Sequence, residues 1–124
     1  MSIRPEFARA ILSRDKRVEF RKRRLAPDVS RVVIYTTSPV RAVVGEFSVA
    51  EQVVTSPHAL WRRFREVAGI DRRSFFEYFD GQTYAVGIMI DSVVEYESPV
   101  PLANFAPGTR PPQSFMYLAA EGAT

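Results

Sequence analysis

Along the first dozen residues the apolar positions repeat with a helical period. Phe7, Ala8, Ile11 and Leu12 share one face behind Pro5, whose ring fits a first turn where no intrahelical N–H partner is needed. This predicts a helix over 5–13, preceded by a short strand at Ser2 and Ile3. The period then changes to two. Val18 and Phe20 alternate with Arg17, Glu19, Arg21 and Arg23, which predicts a strand with one face in the core and one charged face. Pro27-Asp28 marks a turn, the β-branched run RVVIY at 31–35 a buried strand, and TTSP at 36–39 a loop. Residues 41–54 read as the next strand, with Val43, Phe47 and Val49 in phase. Gly45 shares that phase and marks a close backbone approach or a bulge, and Glu46 stands opposite Phe47.

Ser56-Pro57 reads as an N-cap followed by a first helical residue. Leu60, Trp61, Phe64, Val67 and Ala68 follow at helical spacing until Gly69, with Arg62, Arg63, Arg65 and Glu66 outside. Asp71 caps a further helix with Phe75, Phe76 and Phe79 inward, closed by Asp80-Gly81. A long strand is expected over 83–96, bulged where the alternation slips near Ser92-Val93. Residues 98–112 hold five of the nine prolines and read as an irregular crossing loop. QSFMYL at 113–118 reads as a last strand, and 119–124 as a frayed tail. The order β-α-β-β-β-α-α-β-β predicts a single α+β domain over 1–118, a small closed or half-closed barrel capped by helices.

Composition narrows the chemistry. The 124 residues are 46% hydrophobic and 25% charged, ordinary values for one globular domain. Cysteine is absent, so no disulfide or thiolate metal site is possible, and the single histidine excludes a histidine-rich one. That residue, His58, falls in a helix first turn and is expected to be exposed. No metal or cofactor is expected. No apolar run reaches membrane-spanning length and the N-terminus has no signal-peptide pattern, so a cytoplasmic protein is expected. The net charge is only +3, yet the eleven residues from Arg14 to Arg24 include seven basic and two acidic ones, a local +5. The remainder of the chain is therefore net negative by two. Charge concentrated in this way points to a polyanion partner.

The segment carrying it, ILSRDKRVEFR from Ile11 to Arg21, resembles the I-L-x-G-x-K-x-x-E-x-R run of ASCH domains in the PUA-like β-barrel superfamily. GEF at 45–47 and PPQSF at 111–115 add to the likeness, which spans about the whole chain and is nearest the small single-domain prokaryotic type. Arg14 replaces the family's turn glycine, so a differently shaped turn is expected before Lys16. The resemblance implies a PUA-like mixed barrel of five to six strands flanked by about three helices, with a cleft lined by the element after the first helix. It implies RNA, another nucleic acid, or a modified nucleoside or nucleotide as partner. Ribonuclease activity is associated with the fold, and some relatives remove the acetyl group of N4-acetylcytidine. Those relatives use a lysine at the place of Lys16, a threonine three residues on and a distant glutamate. Here Glu19 stands in the threonine's place, which counts against that activity. Glu46 or Glu66 would be the distant carboxylate.

The residues themselves support a site around Lys16, Glu19 and Arg21. Glu19 and Arg21 share one strand face. A carboxylate among guanidinium groups stays ionised and fixes their geometry. Arg21 could then offer its fork to a phosphate or stack on a base, and Glu19 could accept from the amino group of cytosine or adenine. Strict alternation puts Lys16 on the Val18 side, reaching a cleft only if the turn twists there. Neighbouring cations would lower its pKa and favour a neutral amine able to act as base or nucleophile. The plain alternative is a solvated strand face with Glu19 as internal counterion. Arg23, within RKRR at 21–24, reads either as a phosphate contact or as charge protecting an edge strand. Thr37 and Ser38 in their loop, Glu46, and Gln113 and Ser114 held by prolines form a second tier of candidates, each equally at home as a structural residue. Trp61 and the phenylalanine cluster are expected as core. The arginines between 62 and 73 form an exposed helix surface, or a phosphate track if the helices flank the cleft. The reading is an RNA- or nucleotide-binding domain. A hydrolase acting on RNA or on a modified-nucleoside amide in the same cleft is the first alternative, and a module for acidic protein partners the second. An enclosed pocket at Lys16 and Glu19 favours the enzyme; an open groove along Arg23 and Arg24 favours the binder.

Overall fold

Helix α1 (Pro5–Leu12) begins at its proline and buries Ala8 and Ile11, as the spacing requires. The computed structural model describes residues 1–104 and the strand residues 117–118. Strands β1 (Ser2–Ile3), β2 (Val18–Arg21), β3 (Arg31–Thr36), β4 (Ala42–Thr55), β5 (Ala85–Val100) and β6 (Tyr117–Leu118) form one mixed sheet. Its order is β1-β3-β4-β5-β2, with β6 also on β3. β1 runs parallel to β3 at Tyr35 and Thr36, and β6 runs antiparallel to it at Arg31 and Val32. The expected last strand is thus present at 117–118, while Gln113, Ser114 and the 119–124 tail lie outside the described residues.

Two long strands let the sheet curl. β4 and β5 slip register between Val43 and Gly45, Phe47 and Val49, and Val49 and Glu51, and such bulges add local twist and bend. At the slip expected near Ser92, the Ser92 N–H donates to Ser48 Oγ at 2.9 Å. Gly45 marks a close approach: a Cβ there would lie 2.4 Å from the Val94 carbonyl oxygen and 2.9 Å from Leu12 Cδ2.

Curling brings the end strands β1 and β2 together without strand pairing. The Arg21 side chain spans the gap: its Nη2 on β2 donates to the Ser2 carbonyl on β1 at 2.9 Å. The barrel is therefore half-closed, with an open seam. Inside it α1 packs Ile11 against Val32, Ile34, Phe47 and Ile88. Outside it α2 (Pro57–Phe64) and α3 (Arg72–Tyr78) pack Leu60, Phe64, Phe75 and Phe79 against Val18 and Phe20. Both helices start as their caps predict: Ser56 Oγ accepts from Ala59 N–H and Asp71 Oδ1 from Ser74 N–H.

Three expectations change. First, Glu19 and Arg21 do not face solvent. They pair across the ladder with Ile88 and Val86, which belong to the interior, so they project into the barrel while Val18 and Phe20 face the helices. An end strand in a curled sheet can have both faces covered. Second, the turn at Arg14 keeps the shape a glycine favours. Its φ is +72°, and Arg14 N–H and Lys16 N–H close the helix end on the Ile11 and Ala10 carbonyls. The side chain fixes this conformation through a 2.8 Å bond from Nη1 to the Asp91 carbonyl. Third, β2 stops at Arg21 and leaves Arg23 and Arg24 exposed beyond it. Element bounds shift too: α2 gives way at Arg65 to a short 3-10 turn, and β5 runs on to Val100. Among the described residues no helix is long and apolar enough to cross a membrane.

Gly45→Ala should lower stability by about 1–3 kcal/mol, the usual cost of overpacking, read as a lower urea midpoint at constant slope. Arg14→Gly should stay within about 1 kcal/mol of wild type, since relief of the left-handed backbone offsets a lost exposed bond, whereas Arg14→Val should lose more than that.

Candidate functional site

The seam opens into a cleft of about 590 Å³. Its walls are Ser2, Arg4, Glu6 and Phe7 from β1 and α1, Lys16, Glu19, Phe20 and Arg21 around β2, and Ile70, Ser74, Glu77 and Tyr78 around α3. At its base are three charged side chains taken almost out of water. Lys16 is 3% and Glu19 7% exposed, and the Arg21 side chain is 15% exposed.

Lys16 reaches this point by an indirect route. It lies on the Val18 side, as alternation demands. Its stem crosses Gly69, where φ is +63° and a Cβ would come within 2.6 Å of Lys16 Cβ. Its Nζ donates to the Ala68 carbonyl, lies 4.9 Å from the centre of the Phe20 ring, and stands 3.8 Å from Glu19 Oε1. Because β2 is an end strand, no neighbouring strand blocks the passage around its edge. Burial is what lowers the Lys16 pKa below its ordinary 10.5. Glu19 opposes the shift and Arg21 adds to it. The expected cause, neighbouring cations, is thus secondary.

Glu19 stands between two cations, since its Oε2 is 2.8 Å from Arg21 Nη2. That same nitrogen reaches Ser2, so one guanidinium ties the carboxylate to the opposite lip of the seam. Tyr78 borders the opening with Lys22 Nζ 4.8 Å from its ring centre. Burial raises the Tyr78 phenol; Arg21 lowers it and Glu19 raises it. Arg4, Lys16 and Arg21 face Glu6, Glu19 and Glu77 around the walls, so cations meet carboxylates here.

The other candidates lie elsewhere. Arg23 is exposed past the end of β2. Thr37 and Ser38 sit in the turn after β3, where Thr37 N–H bonds the Ile3 carbonyl at 3.1 Å; neither lines the cleft. Glu46 is on the outer face: it pairs in register with Val33, and Arg31 Nη2 binds its Oε2 at 3.0 Å. Glu66 is exposed on the turn after α2. Neither carboxylate is brought to Lys16. Sequence reasoning passed over Glu6, Glu77 and Tyr78. Tyr78 alone left a signal, an aromatic just off the Phe75-Phe79 stripe. The cleft is half-open over Lys16 and Glu19, and neither Arg23 nor Arg24 lines it.

A half-closed mixed barrel with an ion cluster buried at its seam defines a compact α+β domain of PUA-like type. No family model matches the chain. It is 35% identical over 98% of its length to an ASCH domain-containing ribonuclease of Zymomonas mobilis, covering 84% of that protein. The crystal structure of ASCH from Zymomonas mobilis superposes with a TM-score of 0.87 at 33% identity, covering 95% of this chain and 85% of that one. A protein of Ureaplasma parvum named ATP synthase subunit alpha is 33% identical over 95% of this chain, which matches only 15% of it. The chain belongs to the ASCH domain family.

The chain has only two lysines, Lys16 and Lys22, so each side-chain NMR signal can be assigned by mutating one. Lys16 should titrate below 10.5, lower still in Glu19→Gln and higher in Arg21→Met. Between its folded value and 10.5 the unfolded chain binds more protons, so stability should rise with pH across that window. The rise should be missing from the Lys16→Met curve when it is subtracted from wild type.

Proposed function

We propose that the chain acts on RNA by taking one unpaired nucleotide into the seam cleft. The observation that carries this is the Lys16–Glu19–Arg21 cluster, buried at the base of a cavity of about 590 Å³. Buried charge of this kind does little for stability, because desolvation costs several kcal/mol per ion against the Coulomb gain. Its presence beside a cleft supports a ligand site there. Tyr78 and Phe7 offer ring surfaces to a base, Arg21 a fork to a phosphate, and Glu19 an acceptor for an exocyclic amino group. The 35% identity to a protein named a ribonuclease supports RNA as the partner class. The cytoplasm is the proposed setting.

The lowered pKa of Lys16 favours a second reading, a hydrolase on the same cleft. Cleavage by the RNA 2′-oxygen needs a proton acceptor and a cation near the phosphate. A neutral Lys16 amine or Glu19 would take the 2′-hydroxyl proton as the 2′-oxygen bonds phosphorus. The bond from phosphorus to the 5′-oxygen would break to leave a 2′,3′-cyclic phosphate, and the 5′-oxygen would leave with a proton from the protonated base or water. Arg21 would meet the charge on the phosphate. Amide hydrolysis on a modified nucleoside would use the same lysine, with Glu19 in place of the threonine those relatives use.

Binding of short single-stranded RNA, titrated with salt, tests the proposal. The log–log slope should be about −0.7 for each phosphate held. Arg21→Ala should cost at least about tenfold in affinity, the loss of a charge-assisted bond, with the fold retained by circular dichroism. Intact RNA throughout would leave a binder; shortened RNA that disappears with Lys16→Met would establish the ribonuclease. Absence of RNA binding at low salt would sink the proposal and leave modified nucleosides as substrates to be assayed.

A further inference from the structure

Helix α3 has two sides of different character. Ser74, Glu77 and Tyr78 line the seam cleft. Arg72, Arg73, Phe76, Glu77 and Asp80 line a second, shallow depression of about 670 Å³, so Glu77 belongs to both. The two hollows are separated by one helix, about 10 Å across with its side chains.

The second hollow is open and exposes part of an aromatic ring. Phe76 is only half-buried, unlike Phe75 and Phe79 in the core. His58 of α2 lies 4.7 Å from it between ring centres, and the Arg72 guanidinium carbon 4.9 Å from its centre. A guanidinium held over an aromatic ring presents its outer plane for stacking, and every nucleobase has a face that fits. The hollow itself is charge-balanced, Arg72 and Arg73 against Glu77 and Asp80, and among the described residues Arg73 pairs with Glu77 at 3.2 Å while Arg72 has no ion-pair partner. Arg62 and Arg65 add exposed cations on α2 and the turn after it, whereas Arg63 lies against Phe64 and Met89.

We infer that Arg72, Phe76 and His58 form a second subsite, which stacks a nucleotide flanking the one in the cleft while the α2–α3 arginines meet its phosphates. This rests on the reading of the cleft as an RNA site. The RNA strand crosses α3 at Glu77, and the two subsites bind successive parts of one chain. The ligand class is therefore single-stranded RNA longer than a mononucleotide.

The test compares adenosine monophosphate with a short oligoadenylate. Wild type should bind the oligomer more tightly than the monomer, and Arg72→Ala should remove roughly tenfold of that gain while leaving the monomer unaffected. Arg72→Lys, which keeps the charge but loses the plane, should recover only part of it. Trp61, the single tryptophan, lies 6.2 Å from Phe76, so its fluorescence should change with the oligomer and not with the monomer. Equal oligomer binding by wild type and Arg72→Ala, with Arg21→Ala still impaired, would overturn the second subsite alone. Wild type binding neither ligand would overturn the cleft reading and this inference with it.

Discussion

The Arg21 guanidinium, shared between Glu19 on its own strand and the Ser2 carbonyl across the seam, is the contact on which the rest of the site depends. A sheet ordered β1-β3-β4-β5-β2 leaves β1 and β2 at its ends, and the apolar interior that α1 completes keeps them near each other. Arg21 bridges the gap between them, and because it is charged it needs a counter-charge at the same depth. Glu19 supplies that, and Lys16 then joins from the far side of the strand. The cleft and its electrostatics are thus one consequence of leaving the barrel open.

The same constraint explains why Lys16 differs from an ordinary lysine. Its ammonium group is enclosed by Phe20, the Ala68 carbonyl and Glu19. Burial disfavours the charged form, and only one carboxylate opposes it. A ligand that expels water from the cleft would shift this balance further toward the neutral amine, and one that brings negative charge would shift it back. The binding and hydrolytic readings are therefore two uses of one environment, separated by what is placed in the cleft.

Local features were legible in the sequence. The caps at Ser56 and Asp71, the proline start of α1 and the slip near Ser92 are each encoded within a few residues. The Lys16, Glu19 and Arg21 spacing also pointed to the site. What spacing could not encode was which face of β2 is inside, since that follows from sheet curvature built by bulges in β4 and β5. For the same reason Glu46 was correctly placed opposite Phe47, but the face it occupies is not the one that carries the cleft. Tyr78 is remote from Lys16 in sequence, and it and Glu6 come to the same cleft only after the sheet has rolled. At Arg14 the chain keeps a left-handed turn without glycine, through a side-chain bond to a carbonyl that is distant in sequence.

The link between 67 and 69 carries a consequence for cooperativity. Arg17 N–H bonds the Val67 carbonyl at 2.9 Å, and the next carbonyl, Ala68, receives Lys16 Nζ. The helical pair is thereby latched to the strand that bears the ion cluster. If α2 and α3 detached in a sub-global opening, Lys16 would lose its acceptor and Phe20 its cover in the same event. The docking of this helical pair and the surroundings of Lys16 are thus coupled, and a ligand held in the cleft as proposed would slow amide exchange in α2, which lines none of it.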